Sequence, residues 1–351
     1  MIVSVVGLGY IGLPTAAILA SRSLKVIGLD VNQKTVDIIN QGKAHIVEPG
    51  LDILVQTAVQ SGYLKATTKP EKSDVFVIAV PTPFKDNHKP DLSYIESAAK
   101  AIAPFLEKGN IVILESTSPV GTTEKMTEWM QEVRGDLVFP EYGNNGSKYD
   151  ISLAHCPERV LPGHVIQELV DNDRIIGGVT YHCAERVRDF YKIFVMADCL
   201  ISDCRTAELS KLVENSFRDV NIAFANELSL ICDKLNINVW EMIELSNRHP
   251  RVDILQPGPG VGGHCIAVDP WFIINSAPDE AKLIHSARLV NDSKPNFILD
   301  KVNQAVEATN KKRSKIKIAC FGLAFKSNID DLRGSPALYI AEKISFMKFK
   351  E

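Results

Sequence analysis

A cysteine inside a glycine-rich stretch is the feature of this sequence best suited to covalent chemistry. Residues 257–272 read PGPGVGGHCIAVDPWF, with four glycines ahead of Cys265. Glycine allows positive φ angles and lets a ligand approach the backbone closely. His264 is adjacent and Asp269 follows four residues later, so the thiol has neighbours that can shift its pKa or pass a proton. Spacing alone leaves two interpretations open, a cysteine nucleophile and a tight surface turn that contains a cysteine.

A polar stripe on a long helical run is the second candidate. From residue 205 to about residue 235 apolar side chains recur at helical spacing without Gly or Pro, which predicts one helix of ~45 Å. Such a helix can connect domains or cross a dimer interface. Lys211, Asn215 and Arg218 fall at i, i+4 and i+7 and share one face of it. A solvated face and a functional site both remain open.

A glycine fingerprint at the N-terminus predicts a dinucleotide site. The β-branched run Ile2–Val6 leads into GLGYIG and then into a helix. In this context Gly7 makes the turn, Gly9 lets the pyrophosphate approach, and Gly12 packs the helix on the strand. The next strand ends in Asp30, whose carboxylate suits a ribose 2′-hydroxyl and repels a 2′-phosphate. The pattern therefore predicts NAD rather than NADP.

The alternation of strands and helices continues and predicts a doubly wound parallel sheet. The predicted strands are residues 75–80, 111–114, 152–156 and 174–177, and the predicted helices are residues 93–105 and 122–131. Functional loops are expected where such strands end. Three candidates lie there, residues 81–83, 115–123 and 156–163, and each also has the composition of an ordinary turn.

Composition bounds the class of protein. The 351 residues are enough for two domains and allow a third, with 45% hydrophobic and 23% charged residues as in soluble globular proteins. A net charge of -4 gives no case for nucleic acid or a membrane surface as partner. Seven scattered cysteines without a CxxC pair suggest neither disulfides nor a metal site. With no signal peptide and no long apolar run, a reducing cytoplasm is expected.

Eight motifs resemble the UDP-glucose/GDP-mannose dehydrogenase family and run in order along essentially the whole chain. They are VVGLGYIGLPTA, AVPTPF, ESTSPVGTTEKM, CPERVLPG, AELSKLVENSFRDVNIAFANEL, NRHPRV, PGPGVGGHCIAVDPWF and GLAFKSNIDDLRGSP. The resemblance implies an α/β fold with three parts. These are a Rossmann-type doubly wound NAD domain at 1–200, a central all-helical dimerisation and catalytic domain with one long helix at 201–300, and a partial second α/β, UDP-binding domain at 311–351.

The resemblance also implies roles for individual residues. The catalytic set comprises Cys265 as nucleophile, Lys211 and Asn215 as oxyanion and proton-handling groups, Glu158 as the residue that orients water, and Asp269 as a supporting acid. Cofactor contacts are implied for Gly7, Gly9, Tyr10, Ile11, Gly12, Asp30, Thr82, Thr123 and Arg333. Substrate contacts are implied for Lys211, Asn215, Arg159, Val160, Arg218, His249, Arg251, Gly262, Phe325 and Lys326, with His249 and Arg251 near or across a subunit boundary.

The implied reaction is an NAD-dependent four-electron oxidation of the 6-hydroxymethyl group of a UDP-sugar by a homodimer. The HC pair in GGHCIAVDP is similar to the branch that acts on N-acetylated UDP-hexoses. Arg159 after Glu158, and PWF after Asp269, favour the N-acetyl-D-mannosamine epimer, with UDP-N-acetylglucosamine and UDP-glucose as alternatives. The product would serve bacterial surface polysaccharide of the enterobacterial common antigen type.

Two further alternatives differ in class. One is a two-electron dehydrogenase of the 6-phosphogluconate or β-hydroxyacid type, which needs no thiol. The other is a non-catalytic NAD-binding dimer, suggested by the C-terminal pattern. A strand at 315–320, a loop at 322–335 and a helix from Pro336 make one βα unit, far short of the ~100 residues of such a domain. This pattern predicts a truncated product, loose docking after about residue 310 and low activity.

Overall fold

In the computed structural model the first 211 residues form an eight-stranded sheet with helices on both faces. The structure describes residues 1–146, 148–326 and 332–347 and divides into two compact units, Met1–Lys211 and Leu212–Glu351. The three-domain division at 1–200, 201–300 and 311–351 stays a prediction.

The strand order is β3-β2-β1-β4-β5-β6-β7-β8. This order begins as the dinucleotide-binding order does, with a switch point between β1 and β4, and it confirms the doubly wound sheet. The strands are β1 Ile2–Val6, β2 Lys25–Leu29, β3 Leu64–Thr67, β4 Val75–Ile78, β5 Ile111–Leu114, β6 Ser152–His155, β7 Arg174–Gly178 and β8 Cys199–Asp203.

The interior strands are apolar throughout because both faces of the sheet are buried. In β5, Ile111 and Ile113 pack into the core on one face, and Val112 and Leu114 pack into the core on the other. The helices that cover these faces are α1 Gly12–Ser21, α2 Gln33–Asn40, α3 Leu51–Gln60, α4 Ser93–Ile102, α5 Thr122–Val133, α6 Val165–Asp171 and α7 Tyr181–Tyr191.

The direction of β7 differs from the parallel arrangement expected from the sequence. β7 pairs antiparallel with β6, with Ala154 opposite Gly178 and His155 opposite Gly177, and β8 then runs parallel to β7. Strand direction depends on how the connection between strands is routed, which apolar periodicity does not record. The reversal brings the first residue of β7 to the edge of the sheet at which β6 ends.

The predicted long helix is confirmed as α8, Cys204–Leu235. Its 32 residues span about 48 Å at 1.5 Å each. Asp203 begins it as an N-cap, accepting hydrogen bonds from the Thr206 amide and hydroxyl at 3.0 and 2.7 Å. The second unit starts within α8 and adds α9 Val239–Ser246, α10 Asp269–Ser276, α11 Lys282–Ala308 and α12 Pro336–Ser345.

The C-terminal prediction is corrected in two places. Residues 315–320 form no strand, because the described residues of this unit offer no strand for them to pair with. The helix from Pro336 is present as α12, and Ile340 and Ile344 pack against Leu299 of α11, so α12 is docked rather than loose. Residues 327–331 of the predicted loop, and 348–351 of the predicted domain, lie outside the described part. Within that part, no helix combines the length and apolarity needed to cross a membrane.

Candidate active site

The glycine loop after β1 has the geometry of a phosphate cradle. Gly7 has φ +90°, and a Cβ on it would lie 2.5 Å from the Ala79 carbonyl oxygen. A Cβ on Gly12 would lie 1.8 Å from the Gly7 carbonyl oxygen. Around the Cβ position of Gly9, in contrast, no described heavy atom lies within 4 Å. The loop therefore packs tightly on the protein side at Gly7 and Gly12 and is open at Gly9, as pyrophosphate binding requires.

Asp30 is held against this loop by two backbone amides. Its carboxylate oxygens accept from the Leu8 amide at 2.9 Å and from the Asn32 amide at 2.8 Å. Each oxygen keeps a second lone pair for a ribose hydroxyl. The arrangement fits the adenosine half of NAD and disfavours the 2′-phosphate of NADP.

The remaining predicted cofactor residues of this unit differ in their surroundings. Tyr10 is exposed and Ile11 is half-buried, both immediately before α1. The Thr82 hydroxyl follows β4 and is buried without a hydrogen bond to any described residue. An orphaned buried hydroxyl is costly unless a ligand satisfies it, which favours Thr82 as a cofactor contact.

Thr123 is fully buried and its polar groups are already used. Its amide and its hydroxyl donate to Glu208 Oε1 at 2.7 and 2.6 Å, and the Gly121 amide donates to Oε2 at 2.6 Å. Glu208 of α8 thus caps the N-terminus of α5, and burial raises its pKa to about 7. The sequence reasoning missed Glu208. In the sequence, Glu208 is recognisable only as a carboxylate about one helical turn before Lys211.

Glu158 follows β6 and is bound through both carboxylate oxygens. The Arg159 amide donates to Oε1 at 2.6 Å, and Arg174 Nη1 donates to Oε2 at 2.7 Å. Arg174 is the first residue of β7, and its second terminal nitrogen donates to the Leu169 carbonyl at 3.2 Å. The sequence alone does not distinguish Arg174 from an ordinary strand residue, because its partner Glu158 is brought to it by the reversal of β7.

A second buried acid lies in the same region. Glu115 follows β5, and Tyr191 of α7 donates to its Oε1 at 2.6 Å. Burial, which the nearby positive charge of Arg174 only partly offsets, raises the pKa of Glu115 to about 7. Burial also raises the pKa of the neighbouring Cys156 thiol to about 12, which disfavours the thiolate that nucleophilic attack requires. The sequence analysis identified residues 115–123 as a candidate loop but assigned no role to Glu115 itself.

The two predicted substrate residues beside Glu158 are half-buried. Val160 packs against the core of the sheet, and the Arg159 carbonyl accepts from Asn172 Nδ2 at 3.2 Å. The Leu161 amide donates to Glu168 Oε2 at 2.7 Å. These bonds fix the 156–163 loop to α6 and the turn that follows it.

The polar stripe of α8 includes a buried member. Lys211 is half-buried and Arg218 is exposed, whereas Asn215 is 7% exposed. Asn215 Nδ2 donates to Oδ2 of Asp269, which is 3% exposed, at 2.6 Å. A buried amide bound to a buried carboxylate is not typical of a solvated face. The structure thus brings together two residues of the predicted catalytic set that lie 54 positions apart.

Cys265 lies one turn ahead of that carboxylate. Its side chain is exposed, and its carbonyl accepts from the Val268 and Asp269 amides at 3.0 and 2.9 Å. This turn leads directly into α10, which begins at Asp269. The Asn215–Asp269 bond therefore fixes the base of the turn that presents the thiol.

The C-terminal segment packs on the glycines before Cys265. A Cβ on Gly262 would lie 2.7 Å from the Gly334 carbonyl oxygen, and one on Gly263 would lie 2.8 Å from the Phe325 ring. The Gly263 amide also donates to the Arg333 carbonyl at 3.2 Å. Of the predicted C-terminal site residues, Phe325 and Arg333 therefore lie at the glycine loop, and Lys326 is exposed.

A buried polar cluster supports the start of the same loop. Asn226 of α8 accepts from the Gly258 amide at 2.9 Å and donates to Asn291 of α11 at 2.8 Å. Asn291 in turn donates to Asp219 Oδ1 at 2.8 Å, and Arg288 donates to the same oxygen at 2.5 Å. Burial raises the pKa of Asp219, and Arg288 opposes that rise. The sequence did not reveal this support.

His249 and Arg251, in the turn after α9, are exposed. The Arg251 amide donates to His249 Nδ1 at 3.3 Å, so the two side chains start from one ordered turn. Within the described protomer, His249 and Arg251 lie next to each other. Their implied role at a subunit boundary stays a prediction.

Residues 1–195 match the NAD binding domain of the UDP-glucose/GDP-mannose dehydrogenase family, and residues 205–293 match its central domain. This chain belongs to that family. The UDP-N-acetyl-D-mannosamine dehydrogenase of Campylobacter jejuni is 66% identical over 98% of this chain and 83% of its own length. The NDP-N-acetyl-D-galactosaminuronic acid dehydrogenase of Ralstonia nicotianae is 63% identical over 97% of this chain and 79% of its own length.

A solved structure agrees at the level of the fold. The UDP-D-ManNAc dehydrogenase of Pyrococcus horikoshii matches with a TM-score of 0.91 and 43% identity, over 100% of this chain and 82% of that one. Family membership makes this chain an oxidoreductase of the NAD-dependent UDP-sugar dehydrogenase family. The open cradle at Gly9 and the fixed carboxylate of Asp30 fit that cofactor.

Proposed function

We propose that this protein oxidises the 6-hydroxymethyl group of UDP-N-acetyl-D-mannosamine to a carboxylate by two successive two-electron steps. The observation that carries the proposal is the buried 2.6 Å hydrogen bond from Asn215 to Asp269 at the base of the turn that presents the exposed Cys265. This bond places two proton-handling residues at the turn that carries the thiol. A simple alcohol dehydrogenase does not need a thiol.

The residues supply general acid–base and covalent catalysis. In the first step, Lys211 and Asp269 receive the alcohol proton through water, and Lys211 and Asn215 donate hydrogen bonds to the developing oxyanion. The Gly7–Gly12 loop and Asp30 would hold NAD, and one NAD for each oxidation would supply the two-electron oxidant. An aldehyde results from the first.

The second oxidation proceeds through the thiol. Cys265 thiolate attacks the aldehyde carbon, a C–S bond forms, and the resulting thiohemiacetal is oxidised to a thioester. Water oriented by Glu158 then adds to the thioester carbon and the C–S bond breaks, releasing the carboxylate, the Cys265 thiolate and two protons. Covalent capture keeps the aldehyde from escaping.

The choice of sugar rests on the relatives. The 66% identity to a UDP-N-acetyl-D-mannosamine dehydrogenase favours that substrate, and the 63% identity to an N-acetyl-D-galactosaminuronic acid enzyme makes the galactosamine epimer the second candidate. Comparing kcat/KM for UDP-N-acetyl-D-mannosamine, its galactosamine and glucosamine epimers, and UDP-glucose tests the choice. A higher value for any of the other three would contradict it.

The nucleophile is tested by Cys265→Ser. We expect this variant to stop at the aldehyde or to lose activity, with NAD binding unchanged, because a serine hydroxyl is a far weaker nucleophile than a thiolate. Normal acid production by Cys265→Ser would remove the thioester from the scheme and favour a two-electron dehydrogenase.

We also propose that the chain forms a homodimer through α8. Six large apolar side chains are exposed along that helix: Leu209, Val213, Phe217, Phe224, Ile231 and Leu235. At 100° per residue they fall in one stripe, on the face opposite Lys211 and Asn215. A contiguous exposed apolar stripe is typical of a protein interface.

The reduced thiol that the scheme requires is maintained in the cytoplasm.

A further inference from the structure

The register of the antiparallel pair places Arg174 beside Glu158. Ala154 faces Gly178 and His155 faces Gly177, so continuing the same register past the end of β6 sets position 158 opposite position 174. In a parallel strand the first residue of β7 would lie at the far edge of the sheet. The reversal of β7 therefore delivers a cation to the edge at which β6 ends.

Both members of this pair are buried. The Arg174 side chain is 2% exposed and the Glu158 side chain is 7% exposed, and Nη1 and Oε2 are 2.7 Å apart. Burying two charges is expensive and rarely improves stability over an apolar pair. Such a pair is therefore better explained by what it does for the loop that carries it. That loop, residues 156–163, also holds Arg159 and Val160.

Three other titratable groups lie near Arg174, whose guanidinium forms its ion pair with Glu158. They are Glu115 just after β5, the Tyr191 hydroxyl of α7 and the Cys156 thiol just after β6. Burial raises the pKa of all three groups. Glu115 Oε1 accepts from the Tyr191 hydroxyl, whereas Glu158 Oε2 accepts from Arg174 Nη1, so Glu158 is the acid bound to the guanidinium.

We infer that Arg174 is the positioning residue for the last chemical step, holding the Glu158 carboxylate in the orientation from which it directs water at the thioester. Arg174 acts through Glu158 and touches neither substrate nor cofactor. With Oε2 bound to Nη1 and Oε1 bound to the Arg159 amide, the orientation of the carboxylate is restrained at both oxygens. Each oxygen keeps one lone pair for a water molecule. The inference rests on the proposed function.

The test separates thioester hydrolysis from the oxidations that precede it. Purified Arg174→Met and Arg174→Lys are mixed with UDP-N-acetyl-D-mannosamine and NAD, and the fast release of NADH is compared with steady-state acid formation. We expect Arg174→Met to keep the burst of two NADH per Cys265 while hydrolysis slows about 100-fold, since a misplaced group costs about that much. The thioester should then be trapped on Cys265 by acid quench and seen by intact-protein mass spectrometry.

Arg174→Lys is the conservative variant and keeps the test decisive if Arg174→Met does not fold. It retains the positive charge but not the forked geometry, so hydrolysis should slow by about tenfold with a smaller thioester population. Arg186→Met is the matched control. Arg186 donates to Ser152 at the opposite end of β6, at 2.8 Å, and its loss should leave the rate of hydrolysis unchanged.

Three results would overturn the inference. The first is a normal rate of hydrolysis in both Arg174 variants, together with slow hydrolysis in Glu158→Gln. The second is an equal fall of every step in proportion to lost NAD binding, which marks a structural role. The third is a wild-type chain that forms no acid, which contradicts the proposed function itself and is recognised because Arg174 need not be altered to see it.

Discussion

Two glutamates buried in the first unit tie its stability to pH. Burial raises the pKa of Glu115 and of Glu208 to about 7. Between the ordinary glutamate pKa near 4.5 and that value, the unfolded chain has released these protons and the folded chain has not. The unfolded state then binds fewer protons, so the free energy of unfolding falls as the pH rises through this window.

Glu115→Gln should remove the part of this pH-dependent fall in the free energy of unfolding that Glu115 causes. Glutamine keeps an oxygen that accepts from Tyr191 and cannot ionise, so between pH 4.5 and 7.5 the variant should lose about 3 kcal/mol less than the wild type, at ~1.4 kcal/mol per tenfold change in the protonation equilibrium. Urea unfolding at a series of pH values measures it.

His155 affects the pH dependence of the free energy of unfolding in the opposite direction. Burial lowers its pKa to about 3, so stability is lost as the pH falls below 6.5. Since His155 is present in both proteins, its contribution cancels in the difference between them. Parallel curves for the wild type and Glu115→Gln would show that Glu115 ionises normally in the folded chain.

Asn215 has a structural and a chemical role, and a single substitution reports both. Asn215→Leu leaves Asp269 Oδ2 without its buried donor, which should lower the free energy of unfolding by about 1–3 kcal/mol. Loss of the oxyanion donor should lower kcat by about 100-fold or more. Asn215→Gln keeps the donor on a longer side chain and controls for polarity. Near-normal kcat in the leucine variant would exclude Asn215 from the chemistry.

The turn between β1 and α1 carries a matched pair of glycines that separates folding from cofactor binding. A Cβ at position 12 collides with the Gly7 carbonyl at 1.8 Å, whereas position 9 is open. Gly12→Ala should therefore cost about 3 kcal/mol of stability. Gly9→Ala should change stability by less than about 1 kcal/mol and still weaken NAD binding, because the methyl group occupies the path of the pyrophosphate.

Thermal unfolding and NAD titration of both variants decide this point. Tight NAD binding by Gly9→Ala would mean that the open space beside Gly9 is not the pyrophosphate site. A large loss of stability in the same variant would mean that the space is filled in solution.

At the scale of elements, the sequence specified what depends on local pattern. The bounds of β1, β2 and β5 are confirmed because a strand buried on both faces reads as a short apolar run between turn signals. α8 is confirmed to within one residue because an uninterrupted 3.6-residue period has no other solution. Those patterns depend on neighbours in the chain.

The features that the sequence did not specify depend on partners far along the chain. Residues 315–320 have the composition of a strand, but a strand requires another strand beside it. Glu208 caps α5 across more than 80 positions, and Arg174 meets Glu158 only because β7 is reversed. Of the predicted site, the catalytic roles of Asn215 and Asp269 were implied by the resemblance, whereas the buried contact between them comes from the fold.

At the scale of the molecule, the two faces of α8 separate chemistry from the proposed assembly. Lys211, Asn215 and Arg218 lie on one side, and the exposed apolar stripe lies on the other. Phe217, 69% exposed, is near its middle. Phe217→Glu places a charge in the proposed interface and should shift the chain from dimer to monomer in sedimentation or light scattering.

Leu283→Glu is the control for that experiment. Leu283 of α11 is also 69% exposed but does not belong to the stripe, so its substitution should leave the oligomeric state unchanged. A Phe217→Glu chain that remains dimeric at micromolar concentration would place the interface elsewhere.

The most direct test of the whole account is the stoichiometry of the wild-type reaction. With UDP-N-acetyl-D-mannosamine limiting and NAD in excess, the account predicts two NADH and one uronic acid for every sugar consumed, without free aldehyde, because Cys265 holds the intermediate between the two oxidations. One NADH for each sugar, with an aldehyde or ketone as the product, would contradict it. So would a chain that binds NAD and consumes no UDP-sugar.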